Sequence, residues 1–182
     1  MRELALHILD IVQNSVAAGA SLITVSVEED KIEDVLAFSI ADDGKGMDQD
    51  TVAKVTDPFY TTRTTRKVGL GLPMLKASAH ACMGSFTIDS APGKGTTVAA
   101  SFQWSHIDRP PLGDMAATML SILLGDERVD ISYSHRVGSQ SFAFDSKEMK
   151  EALEGLPFQT PEVYQWLKEF LTEGEKDLEK QQ

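Results

Sequence analysis

The stretch HILDIVQNSVAAGA, residues 7–20, reads as a helix with two different faces. From about Arg2 to Ala18, the residues Leu4, Ile8, Ile11, Ser15 and Ala18 recur at intervals of three and four, the spacing of a buried helical stripe. Gly19 is placed to end the helix. His7, Asp10 and Asn14 fall on successive turns of another side. A solvated face is the plain reading of that polar stripe. Asn, however, is a mediocre helix former whose amide needs a partner at mid-helix, so a ligand-facing stripe is the alternative.

Working outward, LITVSV (22–27) and VLAFSI (35–40) alternate and are rich in β-branched residues, so they read as antiparallel strands joined by an acidic turn. The loop DDGKGMDQD follows, and then a short helix capped by Asp48. DPFYTTRTTRKVG has no periodicity and reads as a mobile loop. LGLPMLKASAHAC recovers helical spacing, and SFTIDS and TTVAASF are strands flanking the turn APGKG. The order α, β, β, short α, loop, α, β, β predicts an α+β fold: a two-layer α/β sandwich of about a hundred residues, its sheet mainly antiparallel with helices on one face.

The paired prolines of IDRPPLG (107–113) mark a boundary. It divides the chain into residues 1–104 and a small α/β C-terminal appendage, 105–182. In the appendage the pattern predicts a helix from Leu112 to Leu124, strands VDISYSH and QSFAFDS, a helix from Ser146, and a last helix capped by Thr160 with Pro161 at its first position. Val163, Trp166, Leu167, Phe170 and Leu171 form an apolar stripe at helical spacing along that last helix, and its acidic end, EGEKDLEKQQ, reads as frayed.

With 182 residues, 42% hydrophobic and 25% charged, the chain can bury a substantial core. The longest apolar stretch, Met115 to Leu124, is half the length a bilayer span needs, which predicts no membrane segment. Cys82 is the single cysteine, and with no secretory pattern at the start this suits the cytoplasm. A net charge of −11 argues against a nucleic-acid surface. TTRTTRK, residues 61–67, is a basic island on this acidic chain and suggests a small anion as partner.

Several common sites are absent from the sequence. No G-x-x-x-x-G-K-[ST] loop occurs, and neither G-x-G pair continues to a dinucleotide fingerprint. One cysteine and four histidines make no structural zinc site. What remains is a strand running into Asp42 and Asp43 with Gly44 and Gly46 behind them, and a basic, hydroxyl-rich loop leading into Gly69 and Gly71 at a helix start. Backbone N–H groups there can bind phosphate, with Arg63, Arg66 and Lys67 supplying charge.

Together and in this order, HILDIVQNSVAAGA, DDGKGM, DPFYTTR, GLGLP and GKGT resemble the N box, D-x-G-x-G box, F box and last glycine boxes of the GHKL superfamily. That superfamily unites sensor histidine kinases, gyrase-type and HSP90-type ATPases, MutL and anti-sigma-factor kinases. The likeness spans residues 1 to about 103 and is greatest to histidine-kinase catalytic domains, because only nine residues separate Phe59 from Gly69. The resemblance implies the Bergerat-type sandwich, ATP and Mg²⁺ as cofactors, and a role for each matching residue. Asp42 would accept from the adenine amine with Thr96 helping through water, and Asn14 would ligate Mg²⁺. Ala18, Gly44, Gly46, Met47, Phe59, Leu70 and Leu72 would line the nucleotide, and Gly69 and Gly71 would meet the phosphates with Arg63 or Lys67 folding over.

Asp10 stands where the ATPases and anti-sigma kinases carry a glutamate base, one methylene shorter, and would be the catalytic residue. The phosphoacceptor would lie on another chain, with His7 and His80 as surface residues. The implied activity is phosphotransfer from ATP to a separate protein acceptor. The alternatives are an ATP-controlled switch that binds a regulatory partner with little turnover, and a GHKL-type ATPase; a homodimer is compatible with each.

Overall fold

The computed structural model describes residues 3–57 and 71–179. Its elements are helix α1 (Leu4–Ala17), strands β1 (Leu22–Asp30) and β2 (Val35–Asp42), helices α2 (Gln49–Lys54) and α3 (Gly71–Ala81), and strands β3 (Phe86–Ala91) and β4 (Gly95–Gln103). Beyond them come α4 (Met115–Gly125), β5 (Asp130–Val137), β6 (Gln140–Asp145), α5 (Ser146–Ala152) and α6 (Pro161–Glu179).

One six-stranded sheet runs β3-β4-β2-β1-β5-β6 and is antiparallel except where β5 lies parallel to β1. The alternation along each strand decides which face is covered. Ile23, Val25 and Val27 of β1, Leu36, Phe38 and Ile40 of β2, Val98, Ala100 and Phe102 of β4, and Ile131 and Tyr133 of β5 are all buried on the helical side. The intervening positions carry Thr24, Ser26, Ala37, Ser39, Ala99, Ser101 and Ser134, and these form the more open face. Leu4, Ile8 and Ile11 of α1, Leu75 of α3 and Met119 of α4 complete the core. The α+β sandwich expected from the sequence is therefore the observed architecture.

Two expectations in the C-terminal third need correction. Helix α4 begins at Met115, not Leu112, because Pro111 and Leu112 stay extended and give their carbonyls to the first amides of α1. Leu4 N donates to Pro111 O at 3.0 Å and Ala5 N to Leu112 O at 2.8 Å. Asp114 then caps α4 by accepting from Ala117 N at 2.8 Å. Over the described residues the acidic end is helical from Glu173 through Glu179, held where Glu175 accepts from Tyr133 Oη at 2.7 Å and pairs with His135 Nδ1 at 2.8 Å, while Leu178 is 4% exposed. A periodicity argument sees only charges there and misses what they meet across space.

Candidate active site

The chemistry-bearing residues converge at one end of the sheet, where α1 finishes beside the turns that follow β2 and precede β4. Asp42 is the last residue of β2, and its Cα partner in β4 is Thr96. Its carboxylate is held at both oxygens: Ser15 Oγ donates to Oδ2 at 2.6 Å and Gly44 N to Oδ1 at 2.9 Å. Ser15 comes from the buried stripe of α1, so the same helix that carries Asp10 and Asn14 also aims Asp42. The neighbouring Asp43 has a different task. It accepts from Ser21 Oγ and from the backbone amides of Ser21 and Leu22, chiefly the hydroxyl contact holding its carboxyl below the ordinary carboxylate value, and it pins β2 to β1.

Ala18 closes α1 and accepts from Lys45 N at 3.1 Å, which brings the helix end against the turn at Gly44. Gly46 has φ +65°, and a Cβ there would stand 1.9 Å from Ala91 O. Gly95 has φ +84°, and a Cβ there would stand 1.8 Å from Asp42 O. No side chain fits either position, and this lets the two turns lie against each other. Ser90 ties them together. Its hydroxyl accepts from Met47 N at 2.9 Å, donates to Gly95 O at 2.9 Å and lies 2.8 Å from Thr96 Oγ1.

Helix α3 opens at Gly71, with Leu72 partly buried against the core. His7 meets this helix start. It is 3% exposed, so the surface reading of His7 is overturned, whereas His80 is exposed as expected. Burial lowers the pKa of His7, opposed by the Asp10 carboxylate and by a hydrogen bond to the Gly71 backbone. A histidine among aliphatic residues gives no sign in sequence that a carbonyl from a helix far along the chain awaits it.

Of the residues singled out from sequence, Asp10 and Asn14 are on α1 with Ala18 at its C-cap, Asp42 and Thr96 are at the ends of β2 and β4, Gly44, Gly46 and Met47 follow β2, and Gly71 and Leu72 open α3. Phe59, Arg63, Lys67, Gly69 and Leu70, together with the basic loop they belong to, lie outside the described residues. Sequence reasoning passed over Ser15 and Ser90. Each is a serine at an inward-facing position, 4% and 5% exposed, and that mismatch between residue type and position was the available signal.

These residues fit an adenine nucleotide: a carboxylate fixed as an acceptor, turns stripped of side chains beside it, and an amide and a second carboxylate one helical turn apart on α1. Asn14 and Asp10 offer oxygen atoms, the donors a hard cation such as Mg²⁺ prefers.

Comparison with known proteins agrees with this geometry. The family model described as histidine kinase-, DNA gyrase B-, and HSP90-like ATPase matches residues 2–106. The chain is 37% identical over 89 residues to the sensor histidine kinase WalK of Bacillus subtilis, covering 46% of this chain and 15% of that protein. It is 39% identical over 89 residues to the sensor protein kinase FleS of Pseudomonas aeruginosa, covering 49% of this chain and 22% of that one. The chain therefore spans less than a quarter of the length of these relatives. Among solved structures, the N-terminal domain of a DNA repair protein superposes with a TM-score of 0.53 at 14% identity, covering 79% of this chain and 52% of that one, a likeness of fold alone. No described helix is long and apolar enough to cross a membrane.

Proposed function

The chain belongs to the family of histidine kinase-, DNA gyrase B- and HSP90-like ATPases, and from that premise we propose that it binds Mg·ATP and transfers the γ-phosphoryl group to a separate protein acceptor. The observation that carries the reading is the aim of Asp42. Its carboxylate, fixed by Ser15 and Gly44, accepts a hydrogen bond from the exocyclic amine of adenine, which guanine cannot supply at that position. Thr96, linked to Ser90, orients a water between the carboxylate and the ring. The amide oxygen of Asn14 would hold Mg²⁺. The cation would offset charge on the phosphates as they react.

Asp10, one turn earlier on α1, takes the proton from the attacking group. A nucleophile on the acceptor protein attacks the γ-phosphorus, the bond to the β-γ bridging oxygen breaks, ADP leaves, and the proton displaced from the nucleophile resides on the Asp10 carboxylate until solvent removes it. His7 fixes the start of α3 through the Gly71 backbone, which keeps the helix N-terminus presented to the phosphates. Residues 105–182 form the surface for the acceptor, for a regulatory partner or for a second copy, and the cytoplasm is the compartment that supplies ATP.

The shorter reach of Asp10 favours a second reading, in which ATP binding switches a partner on and off with little turnover. Incubation with γ-labelled ATP, alone and with candidate acceptor proteins, separates the two. Label on a second protein supports transfer; ATP bound stoichiometrically without label or released phosphate in any mixture sinks it and leaves the switch.

A further inference from the structure

Strand β6, QSFAFD at 140–145, closes one end of the sheet, and its outer side is open: among the described residues it pairs with β5 alone. The other edge strand, β3, has α2 packed against it and carries the exposed Asp89. β6 has neither proline nor lysine nor a bulge, the devices that keep an edge from recruiting another strand.

The hairpin fixes which backbone groups face outward. Val137 and Gln140 are partners across the two-residue turn Gly138–Ser139, so their N–H and C=O groups point at each other, and the alternation of an antiparallel ladder follows from there. Gln140, Phe142 and Phe144 turn theirs toward β5, whereas Ser141, Ala143 and Asp145 turn theirs away. Ile131 N, which donates to Ser146 Oγ at 2.7 Å, keeps the same parity one step beyond the strand.

The side chains alternate as well. Ser141 and Ala143 are short and lie on the open face, while Phe142 and Phe144 lie on the helical side with Tyr133, the partner of Phe144. Beneath them α6 presents Trp166, Phe170 and Gly174 in a row at helical spacing. The Phe170 ring centroid is 5.3 Å from that of Phe142 and 6.4 Å from that of Phe144, so it sits under Ala143. Trp166 stacks on Phe170 at 5.5 Å and is still 45% exposed. Gly174 lies so close to Phe142 that a Cβ would stand 2.3 Å from its ring. The strand edge and the row on α6 thus share a midpoint, Ala143 above Phe170.

We propose that β6 is the contact through which two copies of this chain associate, antiparallel about a twofold axis at Ala143, so that their sheets become continuous. That axis sets Ala143 opposite Ala143 of the second copy and Ser141 opposite its Asp145, matching outward-facing residues to each other. On the helical side it sets Phe142 opposite Phe144 and brings the exposed Trp166 toward the second copy's Gly174, a large ring against bare backbone. A second copy supplies both matches from one axis, as a self-complementary contact must. The inference rests on the reading of residues 105–182 as an interaction surface and takes nothing from the chemistry at Asp42.

Sedimentation velocity on the full chain from about 1 to about 100 µM should show monomer passing into dimer. Ala143→Pro deletes the outward N–H at an edge position that tolerates proline, and Trp166→Glu places a charge in the aromatic contact; each should weaken association about tenfold or more and leave ADP binding unchanged. Ala143→Cys should form a disulfide-linked dimer under copper–phenanthroline, because its Cα would lie about 5.5 Å from its mate. Ser141→Cys, about 14 Å from its mate in this register, should not. The native Cys82 is buried and does not compete. Should the first two variants unfold, the two cysteine variants decide alone. A chain that binds ADP yet stays monomeric throughout would overturn the dimer and leave the wider reading of residues 105–182 standing. A dimer indifferent to Ala143→Pro and Trp166→Glu, or equal cross-linking at 141 and 143, would overturn it too.

Discussion

Replacing Ser15 by Ala removes one donor from Asp42 without altering the carboxylate that the proposed function places against adenine. Ser15 Oγ lies 2.6 Å from Oδ2 and the residue is 4% exposed, while Gly44 N holds the other oxygen at 2.9 Å. A hydrogen bond to a charged acceptor contributes ~1.5–3 kcal/mol, and ~1.4 kcal/mol corresponds to a factor of ten, so complete loss of the contact would weaken binding ~10- to 150-fold. Gly44 N remains, and solvent reaches the half-buried carboxylate, so the lower part of that range applies: ADP affinity should fall about 10- to 20-fold. Measuring ADP by calorimetry without divalent cation isolates the adenine end of the ligand from the metal. Ser15→Thr keeps the hydroxyl and should recover most of the affinity. A Ser15→Ala protein that melts like wild type and binds ADP equally well would refute the claim that α1 aims Asp42.

Asp42→Asn replaces an acceptor by a group that can present a donor to the adenine amine, and competition calorimetry should show ATP affinity down by about 5- to 150-fold, the range of one unsatisfied buried pair. Asn14→Ala should weaken Mg²⁺-dependent ATP binding and abolish turnover together. Asp10→Asn should leave binding nearly intact while turnover falls roughly 10²- to 10⁴-fold, and equal turnover in wild type would remove Asp10 as the base. His135 titrates at about 9 when folded against an unfolded value of 6.5, so its contribution is fully present below about pH 6.5 and is lost as pH rises through about 9. Urea titrations should record a loss on the order of 3 kcal/mol across that interval, and His135→Gln should flatten it.

Where the chain's chemistry lies close in sequence, the reading was direct. The α1 pattern announced a buried stripe and a separate polar face, and the Asp42-to-Met47 run announced a sharp turn at Gly44 and Gly46, because each signal sits within a few residues. What stayed hidden depends on long-range pairing. Ser15 counted only as one member of the helical stripe until Asp42 was found against it, and His7 looked exposed until α3 was packed on α1. Glu175 was read as part of a frayed tail because the residues that hold it, Tyr133 and His135, belong to a strand forty residues away in sequence. In each case an apolar or charged pattern reported the local face correctly but carried no information on which distant strand or helix would cover it.

The parallel pairing of β5 with β1 has a practical consequence. The family match ends at residue 106, yet Leu22 to Glu29 of β1 find their second set of hydrogen-bonding neighbours in Asp130 to Val137. A chain cut at the family boundary would turn an interior strand bearing Ile23, Val25 and Val27 into an open edge, and open apolar edges recruit other chains. The first amides of α1 would lose the Pro111 and Leu112 carbonyls at the same stroke. The stretch that the family model matches and the stretch that pairs both edges of β1 are thus different lengths of this polypeptide, and binding experiments belong on the longer one.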